Sequence, residues 1–491
     1  MRKFVLAIDQ GTTSTRAVLF DQFGTLIEKA QREIQLSYPH NGWVESNALS
    51  IWISVVECIN ELLIKADITF DRVESIGITN QRETIVPFNK VTGLPIYNAI
   101  IWQSRQSDEI CDRYEDKKEL IHQKTGLLIN PYFSASKMLF ILENVPVAKQ
   151  LAAEGKLGFA TIDSWILYKL TNGKSFLTDV SNASRTMLYN IKEQKYDEEL
   201  LELFHIKEEM LPEVRESSSL FGKADFFKVE VPITAMMGDQ QASLFGQTCF
   251  KKGDFKTTYG TGCFLLANTG SDIVYSKYGL ITTVAWKRNG EIQYALEGSI
   301  FIGGAVIQWL RDNLNIISEA AESETCAREV KSTRGVYFVP AFVGLGTPYW
   351  DDDVRGTIFG LTRSSNKNHI ARAALESIAY QTKDVLEVFK KETHTTPKEL
   401  HVDGGAANNN YLMQFQSDIC SLTILLPKYV EITALGVAYM SGLFTGYFVD
   451  LDYIKNIHQT KCSFSPTMDK DTIKALYSKW KLAVHTAQKF K

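Results

Sequence analysis

No two cysteines in the sequence form a C-x-x-C motif, and no two histidines stand as H-x-x-x-H. The seven cysteines, at 58, 111, 249, 263, 326, 420 and 462, are odd in number and scattered. That pattern argues against a disulfide framework and a zinc site, and for reduced thiols in a cytoplasmic setting. Basic charge is not in excess either. Lys plus Arg total 53 against 57 Asp plus Glu, a net charge of −4 over 491 residues, so no nucleic-acid partner is expected. The one basic cluster, Lys479-Trp-Lys481 with Lys489-Phe-Lys491, reads as the solvated face of a last helix. A G-x-x-x-x-G-K-[ST] phosphate loop is absent. The opening apolar run, Phe4 to Ile8, stops at Asp9 and is too short for a signal peptide. The longest uncharged stretch, Ile432 to Val449, is 18 residues, about a membrane span in length. Three hydroxyls (Thr433, Ser441, Thr445) and three glycines (436, 442, 446) dilute it. It reads as a buried core helix without stable membrane insertion, with Gly442-x-x-x-Gly446 available for close packing.

What is present is an ordinary globular balance, 45% apolar and 22% charged, long enough for two large units. The chain opens as strand (Phe4–Asp9), Gly turn (Gln10–Ser14), strand (Arg16–Phe20), then a third strand at Thr25–Gln31. Helical spacing follows at Leu49–Ala66, a strand at Val73–Thr79, helical patterns through 104–155, and a strand at Gly158–Asp163 with Asp163 as the N-cap of Trp165–Leu170. Near residue 250 the opening device recurs as Phe255–Gly260, a Gly260-Thr-Gly262 turn and Cys263–Asn268. Helices are expected at Gly304–Asn313, His369–Lys391, Asn409–Cys420, and from about Ala434 and Asp471. Cys249–Asp254 is the expected boundary, dividing the chain into lobes 1–248 and 249–491. Mixed strands and helices imply α/β lobes with mixed sheets.

Three Gly turns have the chemistry to hold phosphate, because Gly lets backbone N–H groups approach an anion closely. The first offers the hydroxyls of Thr12, Thr13 and Ser14. Asp9, at the strand end, is suited to hold Mg²⁺ against phosphates, and Arg16 to neutralise transferred charge. The second is Tyr259-Gly-Thr-Gly262. The third is Val402-Asp-Gly-Gly405, followed by Asn408, Asn409 and Asn410.

Read together, several segments resemble the FGGY family of carbohydrate kinases over essentially the whole chain. They are Asp9-Gln-Gly-Thr-Thr-Ser-Thr-Arg16, Gly77-Ile-Thr-Asn-Gln-Arg-Glu-Thr84, Tyr97-Asn-Ala-Ile-Ile-Trp-Gln103, Asn182-Ala-Ser-Arg-Thr-Met187 and Gly238-Asp-Gln-Gln241. Tyr259-Gly-Thr-Gly262, Tyr294-Ala-Leu-Glu-Gly298, Val402-Asp-Gly-Gly405 and Met413-Gln-Phe-Gln-Ser-Asp418 complete the set. The resemblance implies two ribonuclease-H-like lobes, of the actin and hexokinase type, around a central cleft. It also implies ATP- and Mg²⁺-dependent phosphorylation of glycerol to sn-glycerol 3-phosphate, and by family habit a homodimer or homotetramer. The family's glycerol contacts fall on Arg82, Glu83, Trp102, Tyr132, Asp239, Gln240 and Phe264, with Asp239 as the general base and a candidate second carboxylate for the Mg²⁺ at Asp9. Its nucleotide contacts fall on Thr12, Thr13, Ser14, Arg16, Thr261, Gly304, Gln308, Gly405 and Asn409. Glycerol offers six heavy atoms, so binding is bounded near ~9 kcal/mol and must draw on charge-assisted hydrogen bonds of about 1.5–3 kcal/mol each. Arg82 is expected to donate to two hydroxyls, and Glu83 and Asp239 to accept. Neighbouring residues in a strand point to opposite faces, so Arg82 and Glu83 can share a ligand only if the strand has ended before them. The bland reading of Asp239 is a helix N-cap.

The chain departs from the family's habit at Gln106-Ser107 and at Ala406-Ala407-Asn408. Gly222–Pro232 holds neither a phosphorylatable His nor an Arg-bearing Gly-rich loop. Control by the sugar phosphotransferase system or by fructose bisphosphate is therefore not expected. The other readings open at this point are a different polyol or pentulose kinase, and an actin-like ATP-driven clamp without a small substrate.

Overall fold

The structure, a computed structural model, describes residues 3–490. Two large mixed sheets organise it. In the first, Phe4–Gln10, Ser14–Phe20 and Leu26–Glu33 form an antiparallel meander. On the other side of Phe4–Gln10, Val73–Asn80 and then Val231–Gly238 add in parallel, and Ser218–Ala224 closes the edge. The second sheet repeats the plan. Phe255–Tyr259, Cys263–Gly270 and Glu291–Ile300 form the meander, and Glu399–Asp403 and Thr423–Pro427 add in parallel. In both, five strands stand in the order third, second, first, fourth, fifth, the ribonuclease-H-like arrangement. The two hairpins read from the sequence are thus the starts of one pattern built twice.

The strand sequences show why. Phe4–Gln10 is buried along its whole length, as a near-continuous apolar run should be inside a sheet covered on both faces. Leu26–Glu33, at the edge, has charged residues reaching solvent beside buried Ala30. Three parallel strands of the first sheet end level, with Gln10 and Gly238 both paired to Asn80. In the second sheet Thr258 pairs with Asp403 close to the strand ends. Ligands of α/β sheets bind beyond such carboxyl ends.

Two helices interlace the halves. Asp239–Gly246 follows the first sheet yet bonds to the second, with Ser243 Oγ donating to Asp403 Oδ2 (2.8 Å). Ile432–Thr445 follows the second sheet yet covers the first: its Ser441 hydroxyl lies 2.8 Å from those of Ser75 and Thr234. The helices cross where Gly436 meets Ala242 and Gly246 meets Ile432. A Cβ on Gly436 would overlap the Ala242 carbonyl. The uncharged stretch is therefore a core helix, but its close-packing glycine is Gly436. Gly442 faces the Phe448 ring, and Gly446 is the left-handed C-cap with open space beside it. Among the described residues no helix is long and apolar enough to cross a membrane.

Two further local expectations change. Thr161, not Asp163, is the cap of the helix Ile162–Leu170. Asp163 sits buried in the first turn and accepts from Thr178 Oγ1 (2.7 Å), because the backbone turns before it. Helical patterns at 104–155 resolve into short helices, Asp108–Arg113, Lys118–Thr125, Ser134–Asn144 and Pro146–Ala153. In the last helix, Lys470–Lys489, Lys479, Lys481 and Lys489 are exposed, while Trp480 is buried and donates to Asp384 Oδ2 (2.7 Å). Lys491 lies outside the described residues. The seven cysteines are free thiols.

Gly436→Ala should cost about 1–3 kcal/mol by overpacking, read as a lowered urea midpoint. An unchanged midpoint would show that the two helices do not touch backbone to backbone.

Candidate active site

The ends of the three parallel strands of the first sheet collect the charged residues singled out in the sequence. Asp9 is the last residue but one of Phe4–Gln10; its carboxylate lies 3.4 Å from Arg16 Nη1. Burial pushes its pKa up to about 6; Arg16 pulls it down, while Glu431 and Asp239 push it further up. Val73–Asn80 ends before Arg82, and Glu83 takes a left-handed φ of 60°. The condition for Arg82 and Glu83 to work together is met, and Arg82 Nε lies 3.8 Å from Glu83 Oε1. Val231–Gly238 ends at Gly238, which is the cap of the next helix; Asp239 is that helix's first residue. One oxygen, Oδ1, takes the N–H of Gln240 (2.7 Å) and the Nε of Arg82 (3.2 Å). Asp239 keeps 31% of its side chain accessible, against 2% for Arg82, so it is the member that a ligand can reach. Burial raises its pKa, against the pull of Arg82 and Lys256.

Arg82 is the hub of this group, and its donors are more occupied than the sequence suggests. Its two terminal nitrogens grip Glu297 (Nη1 to Oε2 2.5 Å, Nη2 to Oε1 3.1 Å). Nη1 also reaches Gln241 Oε1 (3.3 Å), and Nη2 reaches the Tyr132 hydroxyl (3.4 Å). Glu297 is fully buried on Glu291–Ile300 of the second sheet. Burial alone would raise its carboxyl, but Arg185 and Arg82 hold it down at about 2. Arg185, also fully buried, donates to Glu83 Oε1 (2.6 Å) and Glu297 Oε1 (3.0 Å).

Aromatic rings stand beside these charges. Trp102 packs edge-on to Tyr132 (5.5 Å between centroids) and to Phe264 (6.4 Å). Its indole N–H donates to Thr12 Oγ1 (2.8 Å), tying the aromatic wall to the first Gly turn. That turn is closed by Gly11 N–H to Ser14 O (2.9 Å), with Thr13 exposed at its tip. Gln240 turns to the second sheet, where Lys256 Nζ donates to its Oε1 (2.5 Å).

The other two Gly turns meet around Gly304. Gly304 N–H donates to Gly260 O (2.8 Å), and Thr261 O accepts from Gly303 (2.8 Å) and Ala305 (3.1 Å). A Cβ on Gly304 would lie 2.8 Å from Gly260 O and 3.9 Å from Ala406 Cβ, so only glycine lets turn, helix start and third turn come together. Gln308 is exposed one helical turn on, Thr261 and Gly405 are exposed, and Asn409 caps Asn410–Cys420 by accepting from Leu412 N–H (2.9 Å). Arg16 lies apart from these turns, between Asp9, Glu431 and Gln31.

Three residues of the cluster were not assigned from sequence: Arg185, Lys256 and Glu297. Lys256 is fully buried inside Phe255–Tyr259, and burial lowers its pKa to about 8. The available signal was a charge inside an otherwise buried strand. For Arg185 and Glu297 it was their place within quoted family segments.

The N-terminal domain model of the FGGY family of carbohydrate kinases matches residues 4–246, and its C-terminal domain model matches 255–443. A glycerol kinase of Oceanobacillus iheyensis is 52% identical over the full chain and 99% of that relative. One from a Geobacillus species is 52% identical over the full length of both. Among solved structures, Plasmodium falciparum glycerol kinase with ADP superposes with a TM-score of 0.93 at 35% identity, covering 99% of this chain and 98% of that one. Xylulose kinase of Lactobacillus acidophilus, at 22% identity and TM-score 0.86 over 99% and 97%, shares the fold. With two family models spanning most of its length and relatives at half identity, the chain belongs to the FGGY family of carbohydrate kinases.

Proposed function

We propose that this protein phosphorylates glycerol at the expense of ATP, yielding sn-glycerol 3-phosphate. The observation that carries the reading is the meeting of Arg82, Glu83 and Asp239 beyond three level strand ends, next to a Trp102–Tyr132–Phe264 wall. A triol has little apolar surface, and such a site meets each of its parts. Asp239 Oδ2 and Glu83 Oε2, which take no hydrogen bond from the described residues, accept from hydroxyls, and the rings cover the carbon chain. Arg82, largely committed to Glu297, contributes field and orientation more than two free donors. We read Gln240, whose Oε1 accepts from Lys256, as a further glycerol contact.

Asp239 serves as the general base, taking the hydroxyl proton as the γ-phosphoryl group arrives. Its raised pKa strengthens it as a base relative to a free carboxylate. We read Thr12, Thr13, Ser14 and Arg16 as the phosphate side, and Thr261, Gly304, Gln308, Gly405 and Asn409 as the remaining nucleotide contacts. Residues 1–248 and 249–491 are the two lobes in chain order. Asp9, with Asp239 near enough to shift its pKa, fits Mg²⁺, an ion held by one or two carboxylates plus phosphate and water. When bound, that ion would neutralise charge on the phosphates. Cleft closure would keep water from competing with glycerol for the phosphoryl group. We place the activity in the cytoplasm and expect a homo-oligomer.

Asp239→Asn should keep the fold and lower kcat by about 10²–10⁴-fold; a purified variant with more than about a tenth of wild-type kcat refutes the base assignment. A coupled ADP assay over glycerol, dihydroxyacetone, xylulose and ribulose should give the highest kcat/KM with glycerol. Larger sugars need space where Trp102 and Phe264 pack edge to face, and a preference for xylulose or ribulose would overturn the substrate.

A further inference from the structure

Five side chains form a line of alternating charge, Glu83, Arg185, Glu297, Arg82, Asp239, which bends back so that Arg82 Nε also lies 3.8 Å from Glu83 Oε1. The links are 2.6 Å (Arg185 Nε to Glu83), 3.0 Å (Arg185 Nη2 to Glu297), 2.5 and 3.1 Å (the Arg82 fork on Glu297) and 3.2 Å (Arg82 Nε to Asp239). The three inner members are buried to 2% or less of side-chain exposure. The two ends are the carboxylates that the proposed function needs as hydroxyl acceptors. The line also crosses the molecule, because Glu297 lies 215 residues from Arg82, on the second sheet.

We infer that Glu297 and Arg185 are positioning residues of the glycerol site. Glu297 fixes the plane of the Arg82 guanidinium and so aims its Nε at Asp239. Arg185 engages one oxygen of Glu83 and leaves the other for substrate. The inference deepens the functional reading above and rests on it. Its physical basis is that a bidentate carboxylate–guanidinium pair sets orientation as well as charge. A ligand as small as glycerol gains only from groups held within about 0.5 Å of the productive geometry. Stability alone does not explain the arrangement. A buried ion network is often no more stabilising than apolar residues of the same volume. Arg185 Nη1, moreover, is buried without a hydrogen-bond partner among the described residues. The rings of Phe133 and Tyr132 lie 5.2 and 5.6 Å from the Arg185 guanidinium and hold it in place.

The test is Glu297→Gln, assayed as the full chain. It keeps the volume, removes the charge and turns an amide toward Arg82. The glycerol KM should rise about tenfold or more while the ATP KM stays within about twofold. The thermal shift induced by glycerol should be lost and that induced by ADP kept. Glu297→Asp, which keeps the charge but shortens the reach, should fall between the two. If Glu297→Gln does not fold, Arg185→Met with Glu297→Gln keeps the net charge of the line, and the same selective loss is expected. A wild-type glycerol KM in whichever variant folds, or equal loss of glycerol and ADP binding, overturns the inference alone. A wild-type chain that forms no glycerol-dependent ADP overturns the functional reading and the inference with it.

Discussion

The contact on which the rest depends is the crossing of two helices whose backbones touch. Asp239–Gly246 and Ile432–Thr445 approach so closely at Gly436 and Gly246 that no side chain fits between them. Each helix follows one sheet and packs on the other. The crossing therefore fixes where Asp239, at the head of its helix, stands relative to Arg82 on one side and Lys256 on the other. A sheet positions a side chain through its register. Here two registers must agree, and a backbone contact with no adjustable atoms makes them agree.

Given that frame, the chemistry of the cluster is a problem of burying charge. Two guanidinium groups and two carboxylates, those of Glu83 and Glu297, are withdrawn from water, with Asp239 partly exposed at one end; burial is costly for each charge alone and tolerable only when each has a neighbour of opposite sign. The order of charges does this and has a polar result. The interior members are consumed by each other, and the two carboxylates at the ends retain an oxygen that no donor among the described residues engages. The depressed pKa of Glu297, about 2, and the raised pKa values of Glu83 and Asp239 express the same gradient. The centre of the line is firmly ionised, and its ends are the more basic acceptors.

Much of this was legible in the sequence because it is local. The hairpins announce themselves by apolar strands broken at Gly11 and Gly260-Thr-Gly262. Ile432–Thr445 is recognisable as core because glycines and hydroxyls interrupt an uncharged stretch. The position of Arg82 and Glu83 beyond a strand end follows from the polar run that begins at Asn80. What was not legible depends on distance or on backbone angle. Arg185 and Glu297 matter through partners 102 and 112 or more residues away, and nothing at either position states which strand lies opposite. Lys256 sits within a strand whose neighbours gave no hint that Gln240 would be its partner. Asp163 has the right residue type for a cap, yet the chain turns at Thr161, and residue type does not encode where φ and ψ change. Glycine spacing was likewise insufficient: Gly442 and Gly446 form the recognisable pair, whereas the unpaired Gly436 makes the contact.

The interlacing also bears on the order in which the molecule is made. The fifth strand of the first sheet ends at Gly238, but the helix that covers one of its faces ends at Thr445. At about 5–20 residues per second a ribosome needs roughly 10–40 s to span that interval. Through it, Val5, Ala7, Val18, Ala235 and Met237 lack Leu435, Val437 and Ala438, with which they pack in one cluster in the finished protein. The nascent first half is thus a sheet with one incompletely covered greasy side, and its maturation waits on a helix that begins almost nine-tenths of the way along the chain.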